Sequence, residues 1–182
     1  MTKKRKIDFI LSENDLYKII FRFYPRQSSC HSFGNEPPKS WNDVYKVYYN
    51  YRVLKIYKED NYCSILYDTH CDECSVIDEI GQVCLLLADG NEFFEREDGE
   101  KISLLNECFL PFGMGTDWTI TKHTCTSFNW DEPDEVTITY NFMLFNYNNT
   151  GFRFELDSTR IKDFGEFLLS CCEYMLTHGD PI

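Results

Sequence analysis

The stretch EVTITYNFMLFNYNNTGFRFELD, residues 135–157, alternates apolar and polar side chains on both sides of a turn-forming segment, YNNTG. Alternation with a period of two is typical of β-strands, and Asn and Gly are residues that tight turns favour. A further alternating segment, DWTITKHTCTSF, lies upstream at 117–128. The pattern therefore predicts three successive strands, at 117–128, 135–146 and 151–157.

The segment after these strands has the periodicity of an amphipathic helix. Ser158 is a suitable N-cap, and Gly179 and Pro181 follow the last apolar residue. Apolar residues recur at intervals of three and four positions, which places them along one side of a helix. We expect this stripe to be buried: Ile161, Phe164, Phe167, Leu168, Cys171, Cys172, Met175 and Leu176.

The N-terminal half predicts two short helices and a hairpin. Residues 12–15 resemble a helix cap, and apolar residues at helical spacing follow, which favours a helix at about 13–24. The aromatic composition of YKIIFRFY in the same segment is also that of a strand. A second cap at Ser40 predicts another helix, and the alternating segments 51–57 and 62–68 predict a hairpin.

A middle helix is predicted between Ser75 and Gly90, where the cap is followed by apolar residues at helical spacing. Together these elements predict an α+β fold: an antiparallel sheet of about five to seven strands with helices near the N-terminus, in the middle and at the C-terminus. A chain of 182 residues can bury one core, so we expect a single domain, 1–182. Three prolines and four serines predict a flexible loop at 25–40.

The cysteines argue against a secreted disulfide scaffold. There are nine, an odd number, and no charged-then-apolar signal segment opens the chain. The apolar run that contains CLLL at 84–87 is far short of the roughly 20 residues that span a bilayer. We expect a protein of a reducing cytoplasm whose cysteines are mostly reduced and buried, with no cofactor.

The segment YDTHCDECSVIDE, residues 67–79, crowds together one histidine, two cysteines and five carboxylates. Cys71 and Cys74 are the candidate zinc ligands, with His70 or Cys63 nearby. A second ligand pair at suitable spacing is missing, and the neighbouring acids oppose the low thiol pKa that redox chemistry needs. The sequence therefore favours an acidic helix entry over a metal site.

Carboxylates are the remaining candidates for catalysis, because a metal-dependent nuclease needs two or three acids that converge on Mg²⁺. Glu155 and Asp157 lie on one face of a predicted strand, with Asp117 or Glu135 as a third ligand. Phosphate-binding glycine loops and hydrolase motifs are missing from the sequence. If the protein is a nuclease, Glu155 and Asp157 are therefore the catalytic residues to test.

Charge is distributed unevenly along the chain. Residues 1–60 contain 12 Lys and Arg against 7 Asp and Glu, and residues 61–182 contain 6 against 23. A negative surface attracts basic proteins and accelerates association with them. Acids fall into two blocks that we predict to bind a partner: Glu92, Glu95, Glu97 and Asp98 in one, and Asp131, Glu132, Asp134 and Glu135 in the other.

The N-terminal third supplies the opposite charge. Its basic start contains four cations that could contact nucleic-acid phosphates: Lys3, Lys4, Arg5 and Lys6. We therefore expect a basic nucleic-acid-binding protein as the main partner, and a minor contact with nucleic acid through the N-terminal third.

In its short length, excess of acids, aromatic content and lack of a catalytic motif, the whole chain resembles small phage-encoded anti-CRISPR proteins, which block RNA-guided nucleases. It is also similar to immunity proteins that neutralise toxins. The first resemblance implies a non-enzymatic inhibitor that binds the basic nucleic-acid channel of a nuclease, with acidic residues in place of phosphates. The split charge favours this function. The alternatives are a metal-dependent nuclease acting on guide RNA or another nucleic acid, and an immunity protein.

Overall fold

The computed structural model describes residues 7–26, 48–68, 72–95, 99–105, 108–109, 116–127, 135–146 and 151–178. Within these ranges the chain forms eleven strands in three antiparallel sheets, and two helices. The α+β class and the antiparallel pairing are confirmed. The predicted single sheet is instead divided into three, and neither helix lies near the N-terminus.

The N-terminal sheet is a meander in which four strands pair in chain order, with a fifth, two-residue strand added to the third. Each hydrogen-bonded pair is antiparallel, and short turns join β1 to β2 and β3 to β4. The strands are β1 (Ile7–Glu13), β2 (Tyr17–Arg26), β3 (Tyr48–Tyr57), β4 (Cys63–Asp68) and β5 (Asp72–Glu73).

The helix predicted at 13–24 is wrong, because this segment contains the end of β1, a turn and most of β2. Asn14 explains the error. Its Oδ1 accepts hydrogen bonds from the backbone N–H groups of Leu16 and Tyr17, both at 2.9 Å, and thereby forms the turn between the two strands. Short polar side chains close turns and cap helices by the same chemistry, so the capping pattern alone did not distinguish them.

The second predicted N-terminal helix is also wrong where the structure describes it. Residues 48–50 begin strand β3, and residues 41–47 lie outside the described part of the chain. Of the loop predicted at 25–40, Pro25 and Arg26 are the last residues of β2, and the remainder lies outside the described residues.

Helix α1 (Cys74–Ala88) confirms the predicted middle helix. The helix ends at Ala88, and Gly90 follows with a φ of 81°, a left-handed conformation that glycine adopts without strain. The backbone N–H groups of Gly90 and Asn91 donate to the Leu87 and Leu86 carbonyls at 3.1 and 2.9 Å, which satisfies the end of the helix. A separate two-stranded hairpin follows: β6 (Phe93–Glu95) and β7 (Lys101–Ser103).

The C-terminal sheet confirms the three strands predicted in the last third of the sequence. Its order is β11-β10-β9-β8, with antiparallel pairing throughout, and it leads directly into helix α2. The elements are β8 (Cys108–Phe109), β9 (Thr116–Ser127), β10 (Glu135–Asn146), β11 (Gly151–Asp157) and α2 (Ser158–His178).

One core joins both larger sheets to α2. The Trp118 ring of β9 lies 6.2 Å from Phe21 and 5.6 Å from Tyr51, measured between ring centroids, so the C-terminal sheet contacts the N-terminal one. Phe164 of α2 contacts Phe21 and Phe142, each at 5.6 Å. All five side chains are fully buried.

The apolar stripe of α2 is buried largely as predicted. Phe167 is only partly buried and packs at the margin of the core, 5.5 Å from the Phe9 ring. The side chains of Met175 and Leu176 lie outside what the structure describes. The other members of the stripe are fully buried: Ile161, Phe164, Leu168, Cys171 and Cys172.

The two helices cross at a pair of glycines. A methyl group on Gly165 would lie 2.8 Å from the Gly81 carbonyl oxygen and 2.9 Å from Cys84 Cβ. A methyl group on Gly81 would instead lie 3.0 Å from the Leu169 side chain. The backbones therefore approach each other closely because both residues lack a side chain.

Arg160 connects the start of α2 to the edge of the N-terminal sheet. Its guanidinium donates to the Leu11 carbonyl at 2.7 Å and also to the Ile10 carbonyl. The pairing of β1 with β2 is irregular at this point, since the register shifts between Ile10 and Ser12. The irregularity turns two edge carbonyls toward the cation, which also lies over the Phe9 ring.

Candidate protein-interaction surfaces

The cysteine- and acid-rich segment at 67–79 contains the last residues of β4, strand β5 and the start of α1, which begins at Cys74. Its proposed ligands His70 and Cys71 lie outside the described residues, as does the Cys74 side chain. Cys63 is exposed and forms no disulfide. In the described part of the chain, no group of three His, Cys, Asp or Glu side chains is placed to hold a metal ion.

Asp157, proposed as a catalytic residue, is the N-cap of α2. Its Oδ1 accepts hydrogen bonds from the backbone N–H groups of Thr159 at 2.9 Å and Arg160 at 2.8 Å. A carboxylate in this position satisfies amide groups that lack a partner within the helix. The cap is therefore Asp157 and not Ser158, the residue predicted from the sequence.

The sheet register separates Asp157 from both proposed third ligands. Asp157 lies opposite Thr139 on β10, and Glu135 lies four residues from that position, roughly 13 Å along the strand. Asp117 lies opposite Phe145, six residues away in the other direction, or roughly 20 Å. Because oxygen ligands bind Mg²⁺ at about 2 Å, these backbone positions do not form one site.

Glu155 shares the exposed face of β11 with Asp157. Glu155 lies opposite Asn141 on β10. Asn141 is four residues from Phe145, which pairs with Asp117, so the backbone positions of Glu155 and Asp117 are roughly 13 Å apart along the strands. The two chain neighbours of Glu155, which are Phe154 and Leu156, are buried. Exposed carboxylates that alternate with core residues are the ordinary pattern of a sheet with one solvated face.

The fold places Glu92 and Glu95 of the first acidic block in different environments. Glu92 Oε1 forms an ion pair with Lys122 Nζ at 2.5 Å, and this hydrogen bond raises the pKa of Lys122. The Tyr140 hydroxyl beside Lys122 donates to the Leu87 carbonyl at 3.0 Å, and burial raises the pKa of this phenol. Glu92 thus belongs to a polar group at the end of α1, whereas Glu95 is exposed.

Other members of the two acidic blocks lie outside the described residues: Glu97, Asp98, Asp131, Glu132 and Asp134. Glu135 is described, and it is exposed as the first residue of β10. The chain positions of these residues place them in or beside the connections between β6 and β7 and between β9 and β10.

The hairpin that carries the first block also exposes two aromatic side chains. We refer to described residues 92–95 and 99–103 as the acidic hairpin. Phe93 is 58% exposed and Phe94 is 49% exposed, although they point to opposite faces of β6. The backbone N–H of Leu104 donates to the Glu92 carbonyl at 2.9 Å and closes the base of the hairpin.

Sequence analysis identified the charge of this hairpin but missed its exposed phenylalanines. The pair of consecutive aromatic residues could have predicted this exposure. A two-stranded hairpin cannot bury both faces of a strand, so two consecutive aromatic residues in it must leave one ring accessible. Exposed aromatic residues surrounded by polar groups are typical of the anchor positions in protein–protein interfaces.

Several cations of the N-terminal third are paired within the N-terminal sheet. Asp8, Arg22, Arg52 and Asp68 occupy one row across four strands. Arg22 binds Asp8 at 2.6 Å and Arg52 binds Asp68 at 3.0 Å. These pairs reduce the net positive charge of the face expected to contact nucleic acid.

A further ion pair joins Lys58 and Glu13 at 2.7 Å, and the hydrogen bond from Lys58 lowers the pKa of Glu13. The four basic residues at the start of the chain, Lys3, Lys4, Arg5 and Lys6, lie outside the described residues.

A groove with a volume of about 540 Å³ lies where the turns of the N-terminal sheet meet, and we call it the tyrosine groove. Tyr17 lies opposite Tyr57 in the sheet, and the Tyr62 ring lies 5.9 Å from the Tyr57 ring. Sequence analysis missed this site because it depends on the pairing of β2 with β3. The lining residues are Asp15, Leu16, Tyr17, Lys55, Tyr57, Glu59, Asp60 and Tyr62.

Neither described helix is long and apolar enough to cross a membrane. The chain matches no protein-family model, no curated protein and no solved structure.

Proposed function

We propose that this protein is a non-enzymatic inhibitor that binds a basic, nucleic-acid-handling enzyme in the bacterial cytoplasm. The target that we expect is an RNA-guided nuclease, as for the anti-CRISPR proteins that the chain resembles in character. The proposed contact surfaces are the acidic hairpin, in which Glu95 is described and Glu97 and Asp98 follow it in the sequence, and the second acidic block, in which Glu135 is described and Asp131, Glu132 and Asp134 precede it.

The observation that carries this proposal is the combination of charge and exposed aromatic surface on the hairpin. Phe93 and Phe94 supply apolar area that a partner can bury, and burial of an aromatic side chain contributes more to affinity than a solvent-exposed ion pair does. The exposed acids around them would accelerate encounter with a positively charged channel.

The charge balance of the chain supports the same partner. Between residues 61 and 182 acids exceed bases by 17, and the Lys122–Glu92 pair, which involves one base and one acid, leaves this excess unchanged. A second base, Arg160, is bound to the backbone carbonyls of β1. The surplus of negative charge disfavours nucleic acid and favours a basic protein as the ligand.

The direct test is inhibition of purified RNA-guided nucleases of several types, each loaded with its guide RNA. We expect the protein to reduce binding or cleavage of target DNA by at least one of them, in proportion to the protein added. Replacement of Phe93 and Phe94 by alanine should weaken inhibition while the folded state is kept, because both rings are already exposed. Uninhibited cleavage by every nuclease in the panel would contradict the proposed target.

A parallel reaction separates inhibition from catalysis. The protein is incubated with labelled guide RNA and Mg²⁺ without any nuclease, and the RNA is expected to remain intact. If the RNA is cut and the Asp157→Asn variant loses this cleavage, the non-enzymatic proposal is wrong. Asparagine is the suitable replacement because its side-chain oxygen can still cap α2, so lost cleavage would not simply report unfolding.

A further inference from the structure

We propose that the tyrosine groove binds an arginine side chain presented by a basic protein. The inference rests on the proposed function only in its choice of a basic protein as partner. It adds a second contact site, separate from the acidic hairpin, and a defined ligand chemistry, the guanidinium group.

The groove already holds one cation against its aromatic rings. Lys55 Nζ lies 3.9 Å from the centroid of the Tyr17 ring and 4.9 Å from that of Tyr57. Both distances are within the range of cation–π attraction. The Tyr62 ring is 61% exposed beside Tyr57, so it offers a further ring to a ligand. A guanidinium is planar and stacks on such rings better than an ammonium does.

The acids around the rings determine which sign of charge the groove prefers in a ligand. Asp15, Glu59 and Asp60 are exposed, and none of them forms an ion pair with a residue that the structure describes. Lys55 is the one cation among the eight lining residues. Three carboxylates against one ammonium favour a cationic ligand, and they disfavour the phosphate groups that a stacked nucleotide would bring.

The groove is held in shape before any ligand binds. The backbone N–H of Lys58 donates to the Leu16 carbonyl at 3.0 Å, which joins the turn after β1 to the turn after β3. Asp60 Oδ1 accepts a hydrogen bond from the Tyr62 backbone N–H at 2.9 Å and fixes the position of that residue. Preorganised side chains lose less conformational entropy on binding, so a small ligand can bind here.

The test is a titration of the full chain with a short capped peptide, Gly-Arg-Gly, followed by NMR of the tyrosine ring signals. The matched control peptide carries citrulline, which has nearly the shape of arginine but no charge. We expect the arginine peptide to shift the signals of Tyr17, Tyr57 and Tyr62, and the citrulline peptide to leave them unchanged. No nuclease is present, so failure of this test is distinct from failure of the proposed function.

Three variants measure how the Tyr62 ring, the three carboxylates and Lys55 each affect binding of the arginine peptide. Tyr62→Ala should weaken binding roughly two- to fivefold, the range expected for a cation–π contact at an exposed site. The charge-neutral triple variant, Asp15→Asn, Glu59→Gln and Asp60→Asn, should remove the salt dependence of binding and keep the turn, because asparagine can also accept the Tyr62 N–H. Lys55→Met should tighten binding, since it removes the cation that competes for the rings.

Two outcomes would overturn the inference. The first is equal response to the arginine and citrulline peptides, which would mean that charge does not select the ligand. The second is a response of the same tyrosine signals to adenosine monophosphate that exceeds the response to the arginine peptide, which would identify the groove as a nucleotide-stacking site.

Discussion

At the scale of single residues, polar side chains make contacts that hold the fold together, and two of them, Asp157 and Glu92, are residues that the sequence suggested for function. Asp157 caps α2, Glu92 pairs with Lys122, and Arg160 binds backbone carbonyls of β1. Residue identity alone could not reveal these roles, because the same carboxylate or guanidinium serves a cap, an ion pair or a catalytic site. The partner of Glu92 lies 30 residues away in the sequence and that of Arg160 up to 150, whereas the amide groups that Asp157 caps are two and three residues away.

Replacing Arg160 with alanine should destabilise the protein by roughly 1.5–3 kcal/mol, the usual contribution of hydrogen bonds to a charged group. The change removes the donors for the Leu11 and Ile10 carbonyls and the cation over the Phe9 ring. Urea unfolding of the two proteins measures the difference. Lys162→Ala, two residues further along the same helix and exposed, is the matched control and should have little effect. Equal effects of the two changes would contradict this role for Arg160.

Asp78 should make stability depend on pH in the direction opposite to a salt-bridged acid. Burial raises the pKa of Asp78, although a hydrogen bond from Gln82 partly opposes this. The folded state therefore favours the protonated form, so ionisation as the pH rises through the usual carboxylate range costs stability. Asp78→Asn should raise the melting temperature at pH 7, and the difference should shrink as the pH falls toward about 4. A constant difference across this range would argue against the effect.

At the scale of elements, the sequence predicted the strands and helices whose hydrophobic periodicity is regular within the element itself. Strands β9, β10 and β11 alternate apolar and polar side chains over most of their length, and helices α1 and α2 have continuous apolar stripes. The helix prediction for residues 16–23 was wrong because the apolar residues of this segment fit both the helical period and the strand period. Only pairing with β3, which places Phe21 and Phe23 in the core, distinguishes the two.

The crossing of α1 and α2 gives a prediction with an internal control. Gly165→Ala should destabilise the protein by about 1–3 kcal/mol, because the added methyl group meets the backbone oxygen of Gly81, which cannot move aside. Gly81→Ala should be milder, since its methyl group meets the flexible Leu169 side chain at 3.0 Å and the Gly165 carbonyl oxygen only at 3.3 Å, and alanine favours the helix. Thermal unfolding of both variants tests this order. If Gly81→Ala proves the more damaging, the crossing geometry described above is incorrect.

At the scale of the whole molecule, the interaction surfaces depend on features that the sequence shows only in part. The excess of acids after residue 60 is visible in the composition. The exposure of Phe93 and Phe94 and the meeting of two turns at the tyrosine groove follow from strand pairing. The molecule thus combines a buried aromatic core, which joins the two larger sheets, with aromatic side chains displayed at the hairpin and at the sheet end.

The acidic hairpin should attract a basic partner through its charge, and the association rate with an inhibited nuclease at about 50 to 500 mM salt measures this attraction. The variant Glu95→Gln, Glu97→Gln and Asp98→Asn omits Glu92, which is paired. The control, Asp163→Asn, Glu166→Gln and Glu173→Gln, removes the same charge from exposed positions on α2. We predict that the hairpin variant associates more slowly than the control at low salt and that their rates converge at high salt, where charges are screened. Equal rates for the two variants at every salt concentration would contradict this attraction.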